Sequence, residues 1–473
     1  MESTRLDAVF IFYKCPEGTH QNTEIGARTL MDRRSFSQMV VGMLGASTVT
    51  FSSAQSTKPM GKPDRMQPAL HLETLRQQYR KDLFEDYLPF HERYVVDHQF
   101  GGFMCTVLPN GDRVADDKPT WYQSRGMWVY SFLYNNFGRE QKYLDIAQGA
   151  YKLIERSRPH QPDEFWPKVM QRDGSPKGPP DPELYGDMFI AEGLAELSKA
   201  TGEKRYWEDA KQIVLKCVRR YDRDDYNPKI GQTYLGPDAR PFPGARIEGV
   251  WMVIIRTTTQ MLEMRPDPEL EALSHRATDA LLNHHFNPRF RLLNELINHD
   301  LSRPTNEYEQ LVYAGHAIET LWMVLYEAIR RSDKQLFNQA SELFRRHCDV
   351  ARDRVYGGLL RNLTNVDQNA WTLDKTLFPH QEALTGSICL IEHTGDPWAL
   401  NFYPELYEYT RTKFSMQSIG SPLWQVIGDR QVTMNPKMTR AENYHQPRFL
   451  MLNLLALDRM IKRNGMPLPI SQP

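Results

Sequence analysis

The feature that most constrains the fold is a unit that occurs three times, in which a turn-rich loop brings polar residues to the start of an apolar helix. The copies span residues 100–125, 356–382 and 424–448. Repeated units of this kind, with their loops at the same end, predict a closed array of helix pairs. The polar and aromatic residues at the three helix starts are Trp121, Gln123 and Arg125, then His380, Gln381 and Glu382, and finally Tyr444, His445 and Arg448.

The periodicity of apolar residues predicts an all-α fold. Three-and-four spacing marks residues 147–156, 188–200, 206–221, 249–264, 270–285, 316–331 and 335–352. Convincing long strands and sustained heptads are absent from the pattern. Six inner and six outer helices at about 30–35 residues per helix and loop match the ~395 residues from Leu70 to Lys462. We therefore predict an (α/α)6 barrel over residues 70–463, with short β-hairpin loops at the active-site end and a tail over 464–473. Two separate helical domains are the alternative, but no Pro/Gly-rich linker divides the middle.

Charge and cysteine usage exclude several classes of function. The chain has 58 Lys and Arg against 59 Asp and Glu, a formal net charge of -1. The signs are interspersed, so neither a nucleic-acid footprint nor a polybasic membrane patch is expected. Cys105, Cys217, Cys348 and Cys389 are scattered without Cys-x-x-Cys spacing, so we expect neither a zinc site nor a redox motif. Whether any of them pair stays open.

The N-terminal region predicts export. Arg33 and Arg34 precede a short, weakly apolar stretch and a small-residue tract that ends near Gln55. This order is typical of a signal peptide, and the paired arginines resemble the twin-arginine kind. We assign the signal to residues 31–55, a linker to 56–69, and residues 1–30 to an upstream extension that reflects a misassigned start codon. The expected location is the periplasm. A basic pair before a buried helix is the alternative.

Two histidines at helix starts indicate proton-transfer chemistry. His316 lies in Ala314-Gly315-His316-Ala317-Ile318-Glu319, in a first turn whose N–H groups and dipole favour a neutral imidazole. His445 precedes Pro447 and Arg448, which supply a helix start and a fixed charge. A histidine taken alone in such a place is more often a hydrogen-bonded core residue than a catalytic one, and Asp187 could merely cap its helix. Six polar side chains at six helix entrances favour a site.

The chain resembles the N-acylglucosamine 2-epimerase family, which includes cellobiose 2-epimerases and aldose–ketose isomerases. The resemblance covers roughly Leu88 to Leu457 and rests on three motifs taken together in order. These are Trp121-Tyr122-Gln123-Ser124-Arg125-Gly126-Met127-Trp128, Gly315-His316-Ala317-Ile318-Glu319-Thr320-Leu321-Trp322 and Tyr444-His445-Gln446-Pro447-Arg448. It implies an (α/α)6 barrel, a small carbohydrate substrate and no cofactor or metal. A homodimer stays open.

The resemblance also implies roles for individual residues. His316 and His445 match the two catalytic histidines, which remove and return a proton α to the carbonyl of an open-chain sugar. Arg125 matches the arginine that steadies the enediolate, and Glu319 matches the carboxylate that orients the histidine in its motif. The remaining residues expected at the pocket are Trp121, Asp187, Arg246, Glu248, His380, Glu382, Trp424 and Arg448.

Three departures from the family pattern bear on the substrate. A further pocket histidine of the family is absent, and we expect Arg246 or Glu248 in its place. Leu377 and Phe378 stand where two tryptophans are usual, and His380 stands where glutamine is usual. Segment 421–424 also differs. A glycoside hydrolase or lyase on the same toroid, or a non-catalytic sugar-binding relative, is the alternative function.

Overall fold

Twelve helices paired as six hairpins form a ring in the described part of the protein. The computed structural model describes residues 70–181, 183–227 and 239–470. The predicted upstream extension, signal peptide and linker lie outside these residues. The predicted domain bounds at 70 and 463 stay a prediction.

The helices alternate between an inner and an outer layer. The inner helices are α2 (Thr120–Asn136), α4 (Tyr185–Thr201), α6 (Glu248–Met264), α8 (Ala314–Arg331), α10 (Leu377–Thr394) and α12 (His445–Lys462). The outer helices are α1 (Leu72–Arg80, continued by Lys81–Tyr87, Leu88–Phe90 and His91–Val95), α3 (Gln141–Glu155), α5 (Lys204–Tyr221), α7 (Pro268–Asp279, continued by Ala280–His285), α9 (Lys334–Ala351) and α11 (Pro397–Phe414).

Contacts between neighbouring inner helices close the ring. Each inner helix packs against the next one along the chain, and α12 contacts α2. Each of α2, α4, α6, α8 and α10 packs on the outer helix that follows it, whereas α12 packs on α1. The inner helices approach closely where glycine permits it: a Cβ added at Gly193 of α4 would stand 2.9 Å from the carbonyl oxygen of Ser124 on α2. This arrangement is the (α/α)6 barrel that the sequence predicts.

The difference in burial between the layers follows from their sequences. Inner helix α6 is buried at almost every position, including polar Thr257, Thr258 and Thr259, because it touches neighbours on all sides. Outer helix α5 is amphipathic and buries Trp207, Val214 and other residues at three-and-four spacing against the inner ring.

Short antiparallel strands lie in the loops. They are β1 (Lys118–Pro119), β2 (Pro167–Met170), β3 (Pro176–Pro180), β4 (Arg246–Ile247), β5 (Phe286–Asn287), β6 (Leu292–Leu293), β7 (Leu296–Ile297), β8 (Val312–Tyr313), β9 (Asn362–Asn365), β10 (Ala370–Thr372), β11 (Lys375–Thr376) and β12 (Ile427–Gly428). They pair as β1-β2-β3, β8-β9-β10, β4-β7, β5-β6 and β11-β12. Four of them, β1, β4, β8 and β11, lead directly into an inner helix, so they set where that helix begins.

Two of the three repeated units are each anchored by a buried Lys–Asp ion pair of the same kind. The Nζ of Lys118 lies 2.9 Å from Asp97 and donates to the carbonyl of the first glycine of its Gly-Gly pair at 2.7 Å. The Nζ of Lys375 lies 3.1 Å from Asp353 and donates to the equivalent glycine carbonyl at 2.6 Å. The same loop is therefore anchored in the same way before α2 and before α10.

Two further features of the described residues are the state of the cysteine thiols and the apolarity of the helices. Cys105, Cys217, Cys348 and Cys389 are buried and unpaired. Burial raises the pKa of each of these thiols. Across the described ranges, none of the helices combines the length and apolarity that crossing a membrane requires.

Candidate active site

A cavity of about 290 Å³ opens where the inner helices begin. It is rich in aromatic and charged side chains. The described residues that line it are Trp121, Arg125, Glu183, Tyr185, Phe189, Met252, Tyr313, His316, Glu319, Arg361, Thr376, Leu377, Phe378, Val426, Ile427, Arg440, Glu442 and His445. Of the residues expected from the sequence, the two histidines, Arg125, Glu319 and Trp121 thus reach one cavity.

His316 is backed by a carboxylate from outside its own helix. Its Nδ1 lies 3.0 Å and 3.2 Å from the two carboxylate oxygens of Glu295, which follows β6. A carboxylate in this position accepts the Nδ1–H proton, which makes Nε2 the nitrogen that takes up a proton. Sequence analysis missed Glu295, because it lies 21 residues before His316 in a loop without helical spacing.

His445 has a similar arrangement built from different elements. Its Nδ1 lies 2.8 Å from Oε1 of Glu382 on α10. Burial lowers the pKa of His445 to about 3, although Glu319 and Glu442 oppose the shift. The imidazole is therefore neutral at neutral pH and can accept a proton.

Arg448 links two buried carboxylates behind His445. Its Nη2 lies 2.5 Å from Oε1 of Glu319 and 2.7 Å from Oε1 of Glu382. The indole of Trp322 also donates to Glu382 at 2.7 Å. The motif predicted that Glu319 orients His316, and this prediction is wrong. The carboxylate of Glu319 instead pairs with Arg448 and lies 3.9 Å from Nδ1 of His445.

This cluster meets the spacing of a metal site but has its own cation. One potential ligand atom each of Glu319, Glu382 and His445 lie within 4.8 Å of one another. Arg448 contacts both carboxylates and supplies a fixed positive charge there. Arg448 already balances one of the two negative charges and contacts the carboxylate oxygens that a metal ion would need, so the residues do not fit a metal ion.

The ring of Phe378 lies between the two histidines on the cavity wall. Its centroid is 6.3 Å from that of His316 and 5.1 Å from that of His445. Gly315 makes room for this ring, because a Cβ added there would meet it at 2.7 Å. Phe378 therefore offers an apolar face next to both imidazoles.

Arg125 is a buried cation held by aromatic rings. Its guanidinium carbon lies 4.7 Å from the ring centre of Trp121, 4.0 Å from that of Phe189 and 4.5 Å from that of Tyr444. Burial lowers the pKa of Arg125, while Tyr444 opposes the shift. Rings rather than a carboxylate flank this charge, so it is available to negative charge that develops on a ligand.

Glu442 is a further lining residue that sequence analysis missed. One of its oxygens accepts from the backbone N–H groups of Tyr444 at 3.0 Å and Gln446 at 2.9 Å, which caps α12. Although burial opposes it, the charge of Arg440 and the backbone N–H donors of Gln446 and Tyr444 lower the pKa of Glu442. A helix start with an acidic residue three positions earlier was the available signal.

Asp187 and His380 lie outside the cavity, contrary to expectation. The Asp187 carboxylate contacts Lys216 of the outer layer at 2.5 Å, and burial raises the pKa of Asp187 to about 6. The Nε2 of His380 accepts from the backbone N–H of Leu359 at 2.9 Å. Gln123 accepts in the same way from Phe103 in the first repeat, at 2.7 Å. His380 therefore anchors a loop.

Arg246 and Trp424 are also outside the cavity. The Arg246 guanidinium donates to the carbonyls of Gly244 at 3.1 Å and Arg223 at 3.0 Å and contacts His299. Its guanidinium carbon also lies 5.0 Å from the ring centre of Tyr221 on outer helix α5. Trp424 is buried against Phe449 at a centroid distance of 6.4 Å.

Three expected residues lie behind the cavity wall. Glu248, Glu382 and Arg448 are almost fully buried, and none of them is among the residues that line the cavity. The prediction that Arg246 or Glu248 takes the place of the missing histidine in the pocket is therefore wrong for both residues. Glu382 and Arg448 act on the site through His445.

Comparison with known proteins finds sugar 2-epimerases among the relatives of this chain. A family model described as N-acylglucosamine 2-epimerase (GlcNAc 2-epimerase) matches residues 101–447. The N-acylglucosamine 2-epimerase of Bos taurus is 26% identical over 380 residues, which cover 78% of this chain and 87% of that protein. A sugar epimerase from a ruminal bacterium has a TM-score of 0.69 at 17% identity, covering 80% of this chain and 98% of its own. The cellobiose 2-epimerase of Bacillus thermoamylovorans B4167 has a TM-score of 0.68 at 17% identity, covering 82% and 100%.

Proposed function

The chain belongs to the N-acylglucosamine 2-epimerase family, and from this premise we propose that His316 and His445 move a proton at C2 of an open-chain sugar. As a member of this family the protein is a carbohydrate epimerase, which places it among the isomerases. The observation that carries the proposed mechanism is that two carboxylate-backed imidazoles line one cavity.

The first step is removal of the C2 proton from the aldehyde form of the sugar. One neutral imidazole accepts the proton at Nε2, and the electron pair moves to the carbonyl oxygen to give an enediolate. The carboxylate on Nδ1 stabilises the imidazolium that forms, as Glu382 does for His445. Arg125 stabilises the negative oxygen of the enediolate from its aromatic surroundings.

The second step returns a proton from the other histidine, which must enter the reaction as an imidazolium protonated at Nε2. The histidine that took up the C2 proton releases it to solvent before the next turnover. Delivery to the opposite face of C2 gives the 2-epimer, whereas delivery to C1 gives the ketose. The two histidines exchange roles when the reaction runs in reverse. Positioned proton transfer of this kind contributes about 10²–10⁴-fold to a rate.

The carboxylates do not support the glycosidase alternative. Hydrolysis of a glycosidic bond needs two carboxyl groups about 5–9 Å apart across the substrate. Three carboxylates among the described residues line the cavity, and each is already engaged: Glu319 pairs with Arg448, Glu183 lies 3.1 Å from Nζ of Lys168, and Glu442 accepts from two backbone N–H groups of α12. Asp187 lies in the barrel wall, and Glu248 and Glu382 lie behind the surface.

Solvent exchange tests this mechanism directly. The purified protein is incubated in D₂O with a panel of free aldoses and β-linked disaccharides, and the products are followed by NMR. We expect deuterium at C2 of the product and no cleavage of a glycosidic bond. Release of a reducing sugar without exchange at C2 would support hydrolysis instead, and binding without either change would indicate a non-catalytic protein.

Assembly and location also remain proposals. We propose export through the paired Arg33 and Arg34. Replacing both by lysine in the full chain should retain the protein inside the cell, as fractionation would show. Light scattering of the purified protein decides between a monomer and the homodimer that the sequence left open.

A further inference from the structure

Glu192 is a buried carboxylate that the proposed mechanism does not use. It lies on inner helix α4, is fully buried and is not among the residues that line the cavity. The hydroxyl of Tyr444 lies 2.8 Å and 2.7 Å from its two carboxylate oxygens and donates to them. A hydrogen bond to an ionised acceptor is roughly twice as strong as one between neutral groups, so this contact constrains the tyrosine firmly.

Arg256 balances the charge of Glu192 from the neighbouring inner helix. It belongs to α6, and its Nε lies 3.4 Å from Oε1 of Glu192. Gln260, one turn further along α6, donates to the backbone carbonyl of Glu192 at 3.5 Å. The carboxylate is thus held by α6 as well as by its own helix, which makes it a fixed acceptor for Tyr444.

Tyr444 connects this carboxylate to two groups of the active site. Its ring centre lies 4.5 Å from the guanidinium carbon of Arg125 and 5.4 Å from the centre of the His445 imidazole. Burial, followed by the charge of Glu192, raises the pKa of Tyr444, so its hydroxyl keeps its proton and remains a donor. Fixing this ring therefore also fixes a surface on which Arg125 packs.

Helix α4 contributes to that aromatic surface twice. Phe189 lies three residues before Glu192 on the same face of α4, and its ring centre is 4.0 Å from the guanidinium carbon of Arg125. The rings of Phe189 and Tyr444 meet edge to face at 5.6 Å. One helix face therefore supplies one ring directly and holds the other through Glu192.

We propose that Glu192 is a positioning residue, which holds the ring of Tyr444 where Arg125 can bind negative charge on the carbonyl oxygen of the substrate. The inference rests on the proposed function of Arg125 in stabilising the enediolate. A hydrogen bond to a carboxylate also makes the phenol ring richer in electrons, which strengthens its attraction for a cation. Loss of this hydrogen bond should let the guanidinium shift, and it should weaken binding of an anion more than binding of a neutral sugar.

A pair of open-chain ligands tests the position of the charge without turnover. Gluconate carries a carboxylate at C1, whereas glucitol is a neutral polyol of the same length. In calorimetry, Tyr444→Phe and Glu192→Gln should each weaken binding of gluconate by about tenfold, as loss of a supporting hydrogen bond around a site does, and change binding of glucitol by less than about twofold.

Tyr403→Phe is the matched control for these ligands. It removes a buried hydroxyl that donates to Asn453 at 2.9 Å, and neither residue is among those that line the cavity. Binding of both ligands to this variant should equal that of the wild type. Equal losses for gluconate and glucitol in Tyr444→Phe, or no preference for gluconate in the wild type, would overturn the proposal.

Turnover of the double variant shows whether Glu192 acts through Tyr444. Each single variant should lower kcat by about tenfold with little change in KM, because Arg125 acts on the enediolate rather than on the bound sugar. Glu192→Gln combined with Tyr444→Phe should be no slower than the slower single variant. Multiplied effects would mean that the two residues act independently, which contradicts the inference.

Tyr444→Phe alone keeps the test decisive if Glu192→Gln does not fold. It removes only the hydroxyl and leaves Glu192 paired with Arg256. A folded Tyr444→Phe with the kcat and the gluconate affinity of the wild type would sink the proposal. If the wild type turns over no sugar, the proposed function fails, whereas the two ligands still decide the role of Glu192.

Discussion

The Nδ1 of His445 lies 2.8 Å from Oε1 of Glu382, although the two residues are 63 positions apart in the chain. His316 has the same relationship with Glu295 across 21 positions. In both cases the carboxylate comes from another element of the barrel. The two imidazoles are therefore oriented by other elements of the barrel rather than by their own helices, which makes the proposed proton transfer dependent on intact tertiary structure.

Removal of either cavity histidine should abolish most of the turnover. His316→Ala and His445→Ala each remove one proton-transfer group, so we expect kcat to fall by about 10²–10⁴-fold. The rate of deuterium incorporation at C2 measures this loss, and circular dichroism checks the fold. His284→Ala, at an exposed site, is the control and should leave the rate unchanged. A folded cavity variant with a near-normal rate contradicts the assignment.

Replacing Arg125 by lysine should lower kcat as well as affinity. An ammonium group keeps the charge but loses the planar face that packs on Trp121, Phe189 and Tyr444. It would therefore place its charge less accurately on the enediolate. Steady-state kinetics separate kcat from KM. An unchanged kcat at saturating sugar would indicate a purely structural role for Arg125.

Loss of Arg448 should destabilise the protein strongly. Arg448→Met leaves Glu319 and Glu382 buried with their shared cation removed, and breaking such a pair costs about 3–5 kcal/mol. The free energy of unfolding from urea denaturation measures this cost. Arg289→Met removes an exposed partner of Asp367 and should cost at most about 1 kcal/mol. Equal losses in the two variants would argue against a tightly coupled buried network.

Buried neutral histidines should make the fold sensitive to acid. Burial lowers the pKa of His91, His380 and His445 to about 3, and that of His285 and His347 to about 4. Between these values and the ordinary ~6.5, the unfolded chain binds protons that the folded protein does not. The stability that these groups confer is therefore present above about pH 6.5 and is lost as pH falls.

His380→Gln isolates one of these contributions. A glutamine side chain can accept from Leu359 and donate to Thr376, as His380 does. The variant should remain folded, and its free energy of unfolding should decline less steeply between pH 6 and pH 4. The difference in slope is up to about 1.4 kcal/mol per pH unit. Identical slopes for variant and wild type would show that His380 does not titrate in this window.

Phe378 should limit the range of sugars. We expect poor turnover of N-acetylmannosamine and cellobiose, because Leu377 and Phe378 line the cavity where the family usually has two tryptophans. Arg246 and Glu248 do not contribute to this expectation, since neither lines the cavity. Phe378→Trp enlarges the stacking surface and should raise kcat/KM for cellobiose. Ile427→Trp, at an exposed position on the same cavity, is the control and should not. Efficient use of either sugar by the wild type would show that these departures are neutral.

The helices were predictable because their signal is local. Apolar spacing at three and four residues marks an inner helix such as α6 and an outer helix such as α5 alike. The two cavity histidines could also be predicted from the sequence, since each stands in the first turn of its helix. The hydrogen-bond partners of those histidines could not be predicted; Glu295, for example, lies in a loop with no periodicity.

His380 and Glu319 show why the local position of a residue in the sequence does not establish its role in the site. His380 lies five residues after Lys375, as Gln123 does after Lys118, and both bind the loop rather than the sugar. Glu319 is one turn from His316, which suggested a pair on one helix face. The positive charge of Arg448, on α12, pairs with the carboxylate of Glu319 instead.

Because α12 packs on α1, the barrel can close only after its last helix has been synthesised. Every other hairpin joins helices that are adjacent in sequence, so it can form as soon as the ribosome has released it. The last pairing joins the first and last described helices, and the last one carries His445. A nascent chain stalled before α12 would thus have an open ring and only one of its two cavity histidines. Catalytic competence is then acquired in a single late event, when the ends of the barrel meet.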